Sequence, residues 1–503
     1  MKLSYNKINQ DNLKQLSELA SSVHSDLKQF EDKDFIHPRA VQVFICATQF
    51  LSKQDNILAN IAISSYWLKQ LDQYIYLTEL LQVFNQQDTN NNHLDFDEDF
   101  DEEISEEEFF DYWSSGHFAQ PLNDLMTDGM DIIQATNKLK PLQEETLIAY
   151  CILHFPLAFK DLGITNEPTD DLYPLTYHAL FEIGDSTQAL HLGFDFTRYP
   201  LPQTPENFPF ITIDFFNHKD QVLHITNNEK NIAIQAIKSP SVRNLHLLVG
   251  HELSADEDFS IFQSQWSDKT SKALDILQYH AEDAFECFKS FTRTLVSNDQ
   301  EHIVSYSLQD IPYVSTINLI HRDDIDYLDD LIHENGHHFL NSLLNLDELI
   351  IEDDEKIFFS PWRNAKRPIR GLYHAYCTFA WAKILFASLT KKVIESSDPK
   401  DLLAPYIPEM NNSQIQKIVF RFLEETIMLN HCKSQLDWAY RVDNKITDAG
   451  QKIVSEFTDS IDRYKDLEEH SFEWIKKHSA LEYEKLISLD RELKKQVESL
   501  NLR

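Results

Sequence analysis

The segment DIDYLDDLIHENGHHFLNSLLNL, residues 324 to 346, constrains this chain more than any other. Leu328, Leu331, Ile332, Phe339, Leu340 and Leu343 recur at three- and four-residue intervals, which predicts one helix with an apolar stripe. That helix carries His333-Glu334-Asn335-Gly336-His337, an HExxH. Residues four apart lie one turn apart on the same face, so both imidazoles reach toward one divalent ion. Glu334 sits about 100° round the helix, near the ion but not aligned with the histidines. His338 breaks the face and is expected as an outer partner of the ligands or turned to solvent. Gly336 costs about 1 kcal/mol relative to Ala in a helix, so a neighbour must approach closely there or the site needs the space.

With 503 residues the chain has room for roughly three domains of about 150 residues each. Apolar periodicity predicts helices over 38 to 86 and again from about 120 to 165. Between them, residues 88 to 110 form a strongly acidic run, expected as a solvated loop. Asp95, Asp97, Asp99, Asp101 and Glu106 fall at calcium-loop offsets, but Phe100 occupies the turn position that needs Gly. Short β-prone runs separated by polar turns follow from 177 to 252 and predict a sheet. Helix is expected at 267 to 297, strand in HIVSYSL and VSTINLI, and helix after 372 almost to the end. The fold class expected is α+β, predominantly helical, with a central, mainly antiparallel sheet region and a helical metal-binding catalytic core. The expected organisation is a helical region 1–118, a mixed region 119–265 as a peptide-recognition part, a catalytic region 266–455 and a charged C-terminal helix 456–503.

A formal charge of −37 repels nucleic acid and anionic membrane and attracts basic peptide. The chain has neither GxGxxG nor GxxxxGK[ST], so nucleotide binding has no motif behind it. Five scattered cysteines, never in CxxC, argue against disulfides and thiolate zinc. The start MKLSYNKINQDNLKQ lacks an apolar export region and no run approaches 18 apolar residues, so a cytoplasmic protein is expected.

Two histidines need a third ligand. A metzincin would place Gly and His where this chain has Leu340 and Leu343, which excludes that family. Carboxylate candidates are Glu348, Glu352 and Glu355; the imidazole candidate is His374. His374 follows SPWRNAKRPIRGLYH, in which Arg363, Lys366, Arg367 and Arg370 lie within eight residues. Peptide-bond hydrolysis needs a polarised water and a base, not a cationic pocket. A dianionic cosubstrate does need one, and the planar fork of Arg matches a carboxylate. Histidines on one face with open positions suit Fe(II) oxygen chemistry with 2-oxoglutarate as electron donor. The plainer reading pairs these arginines with the acidic stretch DELIIEDDE just upstream.

The order HExxH, PWR, RP, G and H ahead of an aromatic-rich helix resembles the HExxH-domain proteins of peptide natural-product biosynthesis, the 2-oxoglutarate-dependent HExxH-type peptide β-hydroxylases. The resemblance covers roughly residues 300 to 455, including IPYVSTINLIHRDDIDYLDDLIHENGHH and ITDAGQKIVSEF. It implies His333, His337 and His374 as iron ligands and puts the family's arginines at Arg363 and Arg367; Arg367, with Arg363 or Arg370, is expected to grip the far carboxylate of 2-oxoglutarate. It implies Fe(II) and 2-oxoglutarate as cofactors, and hydroxylation at Cβ of residues in a ribosomally synthesised precursor peptide. Ala375 stands where the family usually has Gly, and Asn335-Gly336 where small apolar residues are commoner. Glu334 then orients a ligand or bonds metal-bound water. The rival is a cytoplasmic zinc metallopeptidase with Glu334 as general base and Glu352 or Glu355 as third ligand.

Overall fold

A computed structural model of the chain describes residues 5–30, 36, 38–53, 61–89, parts of 134–148, short strands between 213 and 249, 259–292, 294–298, 301, 304–309, 312–351, 355–407 and 410–500. Most of these are helical. Two compact units are formed. One comprises Asp11–Ala236 with Asp310–Pro312; the other comprises Met1–Gln10, Ile237–Gln309 and Tyr313–Arg503 and contains the HExxH segment.

The chain opens with helix α1 (Tyr5–Gln29), followed by α2 (Pro38–Leu51) and α3 (Ile61–Thr89), which bear out the helices expected over 38 to 86. The apolar stripe of α1, Leu16, Ala20, Val23 and Leu27, is fully buried. Phe44 meets Trp67 and Tyr74 edge-on, with centroids 6.2 and 6.3 Å away. Buried polar tips find partners: Trp67 Nε1 donates to the Leu147 carbonyl at 3.0 Å and the Tyr74 hydroxyl to Glu144 at 2.6 Å. Strands β1 (Ile213–Asp214), β2 (Val222–Asn227) and β3 (Lys230–Gln235) form an antiparallel sheet in this unit. The acidic run beyond Thr89, its calcium-loop positions and the β-prone runs of 177 to 200 lie outside the described residues.

In the other unit, β4 (Ile237–Lys238), β5 (His246–Val249), β6 (Thr294–Asn298), β7 (Tyr306–Ser307) and β8 (Val314–Asn318) make one sheet in the order β4-β5-β6-β8-β7. Its two central pairings, β5 with β6 and β6 with β8, are parallel; the outer ones are antiparallel. The expectation of mainly antiparallel pairing therefore holds among the described strands as a set, but not at the centre of this sheet. Every side chain of β8 is buried, the signature of a strand covered on both faces.

The helix expected over 267 to 297 is two helices and a strand: α4 (Phe259–His280), α5 (Glu282–Phe291) and then β6. Thr294, Leu295 and Val296 are claimed by parallel partners on both sides, at Thr294↔His246 and Thr294↔Val314 in register. Long-range pairing here overrides the local helical reading.

The HExxH segment forms α6 (Asp324–Leu344) as expected. Asp323 caps it, accepting from the Ile325 and Asp326 amides at 2.9 Å each. A short hairpin follows, β9 (Phe358–Ser360) and β10 (Ala365–Arg367), then α7 (Ile369–Glu395), α8 (Pro399–Leu403), α9 (Asn412–Arg441) and α10 (Asp448–Asp462). The charged end is two helices, α11 (Lys465–His478) and α12 (Ala480–Ser499), broken at Ser479, which caps the second. Helix α7 lies between α6 and α9. Among the described residues no helix is long and apolar enough to cross a membrane.

Gly336 explains how closely α6 and α7 approach. A Cβ there would sit 3.1 Å from Thr378 Cα and 3.3 Å from Trp381 Cδ1. The close neighbour expected from the sequence is thus α7. Gly336→Val should cost about 1–3 kcal/mol through overpacking, and Gly336→Ala should fail to return the ~1 kcal/mol of helix propensity that Ala normally brings. Urea unfolding measures both; a stabilised Val variant would contradict this packing.

Candidate metal centre

Helix α6 presents His333, Glu334 and His337 together. One donor atom from each lies within 4.8 Å of the others. The His333 and His337 rings stand almost perpendicular with centroids 4.9 Å apart, as expected for residues one turn apart. His374 comes from the second turn of α7, its ring centroid 5.9 Å from that of His337. The tight His/Glu/His group does not include it.

Three polar atoms of this cluster are shut off from solvent and have no hydrogen-bond partner: His333 Nδ1, Glu334 Oε2 and His374 Nε2. Buried polar atoms are ordinarily satisfied, so an orphaned set converging from two helices fits a site built for an ion. The donors are nitrogen-rich with one carboxylate, which suits Zn(II) or Fe(II) better than calcium or magnesium.

Electrostatics favours the ligating form of the histidines. Burial pushes His333 and His374 down to about 3, helped by Arg421 and Arg363 at His333 and by His337, Arg370 and Arg367 at His374. His337 lies well below the ordinary value, chiefly through burial and then the neighbouring imidazoles. A neutral imidazole is what a metal requires. Burial drives Glu334 the other way, up to about 8.

His338 departs from both expectations. It neither faces solvent nor partners a ligand: it is 1 % exposed, and its Nε2 pairs with Ser315 Oγ on β8 at 3.1 Å. The residue following the HExxH therefore ties α6 to the sheet. Asn335 plays a similar part, accepting from the Thr292 hydroxyl at 2.8 Å and donating to Cys287 Sγ at 3.1 Å. The amide at this position binds α6 to the end of α5.

Arg363 acts electrostatically on His333 and His337, and Arg367 and Arg370 on His374. Arg363 lies in the turn of the β9–β10 hairpin, Arg367 ends β10 and Arg370 opens α7. A Cβ at Gly371 would come within 2.7 Å of Arg367 Nε and 3.3 Å of Cζ, so the Arg367 side chain lies across the first turn of α7. Arg370 donates to Gln309 Oε1 at 2.7 Å, and Gln309 Nε2 donates to Asn345 Oδ1 at 3.2 Å. Neither Arg363 nor Arg367 has an ion-pair partner among the described residues. In the upstream acidic stretch, Glu355 meets Lys445 at 2.8 Å.

Among the described residues, neither Glu348 nor Glu355 joins the His/Glu/His group. Glu348 is exposed, its backbone carbonyl bonded by Thr447; Glu355 is exposed; Glu352 is outside the described residues. Sequence reasoning missed Phe379, Arg421 and Glu425. Phe379 lies 4.3 Å from the His333 ring and stacks on Trp362. Arg421 bonds Asp329 and Glu424, and meets the fully buried Glu425 at 2.9 Å. No sequence pattern marks Arg421 and Glu425, because α9 is about 90 residues beyond α6 and reads as ordinary helix, and Phe379 reads as one more aromatic of α7.

No family model matches this chain, and no curated protein matches it. The resemblance stated above therefore stands on the motif residues alone.

The metal-free protein should be least stable at the two ends of a pH window. Unfolded histidines take up protons near 6.5, whereas His333 and His374 resist until about 3, so stability falls as pH drops through 6.5 toward 3. Glu334 acts oppositely: unfolded it ionises above 4.5, folded it keeps its proton to about 8, so stability falls as pH rises from 4.5 to 8. His374→Gln should flatten the acid limb and Glu334→Gln the other. Urea midpoints against pH in chelator read both; unchanged slopes would contradict the assignment.

Proposed function

We propose that this protein is an Fe(II)- and 2-oxoglutarate-dependent oxygenase that hydroxylates the Cβ of residues in a ribosomally synthesised precursor peptide. The observation that carries this reading is the pairing of a neutral three-imidazole cluster with Arg363 and Arg367, which have no ion-pair partner among the described residues. His333, His337 and His374 would hold iron. Arg367, with Arg363 or Arg370, would take the far carboxylate of 2-oxoglutarate. The positive end of the α7 dipole lies beside them and favours the same anion.

Bound iron supplies oxygen activation, in which 2-oxoglutarate is decarboxylated to succinate and carbon dioxide, one atom of O2 entering succinate and the other the peptide C–H bond. The chain's own residues have simpler tasks. The arginines neutralise and orient the dianion. Phe379 and Trp362 wall off water on one side of His333. Burial raises Glu334 in the metal-free site, and beside the ion its carboxyl would orient a ligand or bond metal-bound water.

One observation favours a second reading. Glu334, not His374, completes the tightest donor group, as a zinc metallopeptidase with Glu334 as general base would require. That reading lacks a carboxylate third ligand among the described residues.

Anaerobically purified protein given Fe(II), 2-oxoglutarate, oxygen and candidate precursor peptide should form succinate and a peptide heavier by one oxygen atom. Zinc-dependent peptide cleavage without succinate would overturn the oxygenase. Gly371→Ala should leave the fold intact, because the group it displaces is the flexible Arg367 side chain, yet weaken 2-oxoglutarate binding about tenfold. Calorimetric titration of the metal-loaded variant checks this, and unchanged affinity would remove Arg367 from the role.

A further inference from the structure

The arginine hairpin cannot hold its own position. It has three paired residues per strand, and Ala365 and Lys366 of β10 are exposed. Its turn, Pro361 to Asn364, closes with Asn364 N–H donating to the Pro361 carbonyl at 3.3 Å and Asn364 in the left-handed region at φ 45. A two-stranded ribbon of this size is not stable by itself in water. Burial of Phe358 and Phe359 and packing against α7 hold one side of it, and its polar anchors lie on α9, outside the metal centre.

We propose that Gln435 and Glu425 are positioning residues that hold this hairpin, and with it Arg363 and Arg367, over the metal centre. The inference deepens the 2-oxoglutarate reading and rests on it for the identity of the ligand. Gln435 is fully buried and acts as a substitute strand for β9: its Oε1 accepts the Phe359 N–H at 2.8 Å and its Nε2 donates to the Phe359 carbonyl at 2.9 Å. Glu425, also fully buried, accepts from Trp362 Nε1 at 2.9 Å. Trp362 then lies flat on Phe379, centroids 4.2 Å apart and planes within 5°, and Phe379 leans on His333 at 4.3 Å.

Trp362 is thus clamped between α7 and a carboxylate of α9, and the next residue is Arg363. The carboxylate has its own anchor. Arg421, one turn earlier on α9, meets Glu425 at 2.9 Å and also bonds Asp329, one turn before His333 on α6. An unbroken path runs from the metal-bearing helix through Asp329, Arg421, Glu425 and Trp362 to the cationic turn. Polar groups this deeply buried are costly unless they fix something in place. Here they fix the distance between imidazoles on α6 and guanidinium groups on the hairpin.

Two mild variants test this. Trp362→Phe keeps the stack on Phe379 but removes the N–H donor, and Gln435→Met keeps the volume but removes both bonds to Phe359. Each is compared with the unaltered chain for Co(II) binding, for 2-oxoglutarate binding to the Co(II)-loaded protein, and for amide hydrogen exchange over 358–367. Both variants should keep Co(II) affinity within about threefold, weaken 2-oxoglutarate about tenfold and speed hairpin exchange about tenfold, with α6 unchanged. Unchanged hairpin exchange in both folded variants would overturn the proposal. Faster exchange with undiminished 2-oxoglutarate affinity would overturn the positioning role. If the unaltered protein itself binds no 2-oxoglutarate, the oxygenase reading fails, while the exchange data still decide whether α9 holds the hairpin.

Discussion

How closely two helices can approach decides whether this site exists. At Gly336 the backbone of α6 comes so near α7 that even a methyl group would press on Thr378 Cα. That contact sits within one turn of His333 and His337 on one helix and of His374 on the other. Widening it would carry His374 away from the pair. Asn335 and His338, on either side, tie the motif helix to α5 and β8, so the surface it offers α7 is fixed from behind. The two interior positions of the HExxH, Asn335 and Gly336, are therefore taken up by packing.

Charge is divided across the site in a way the bulk composition hides. A chain of net charge −37 places Arg363, Arg367 and Arg370 beside its imidazoles and leaves two of them without ion-pair partners among the described residues. Arg363 is exposed and Arg367 half-buried, so both charges keep contact with water and stay accessible to an anionic ligand. The hairpin that carries both arginines buries β9 and exposes most of β10, and α9 supplies polar anchors for it.

Much of this was legible from the sequence because the signals are local. The three- and four-residue recurrence around His333 predicted α6, the unusual glycine predicted a close neighbour, and the clustered arginines predicted a cationic wall by His374. What escaped depends on pairing across long stretches of chain. Thr294–Asn298 read as helix because nothing nearby reveals that β5 and β8 flank it. The break at Ser479 was hidden in a uniformly charged stretch. His338 read as peripheral because helical phase alone cannot show that Ser315 waits on a strand behind it. Gln435 and Glu425 look like unremarkable helical polar residues until their partners at Phe359 and Trp362 are known.

The central claim is that three imidazoles, with His374 rather than Glu334 completing the set, hold the ion. Co(II) titration of His374→Gln and Glu334→Gln under identical anaerobic conditions tests it most directly. Loss of a direct ligand should exceed the roughly 10- to 100-fold loss typical of an outer partner. The account predicts that His374→Gln loses more than about 100-fold in Co(II) affinity while Glu334→Gln loses no more than that outer-partner range. The reverse order, with Glu334→Gln abolishing binding and His374→Gln retaining it, would contradict the account and favour a His/Glu/His centre.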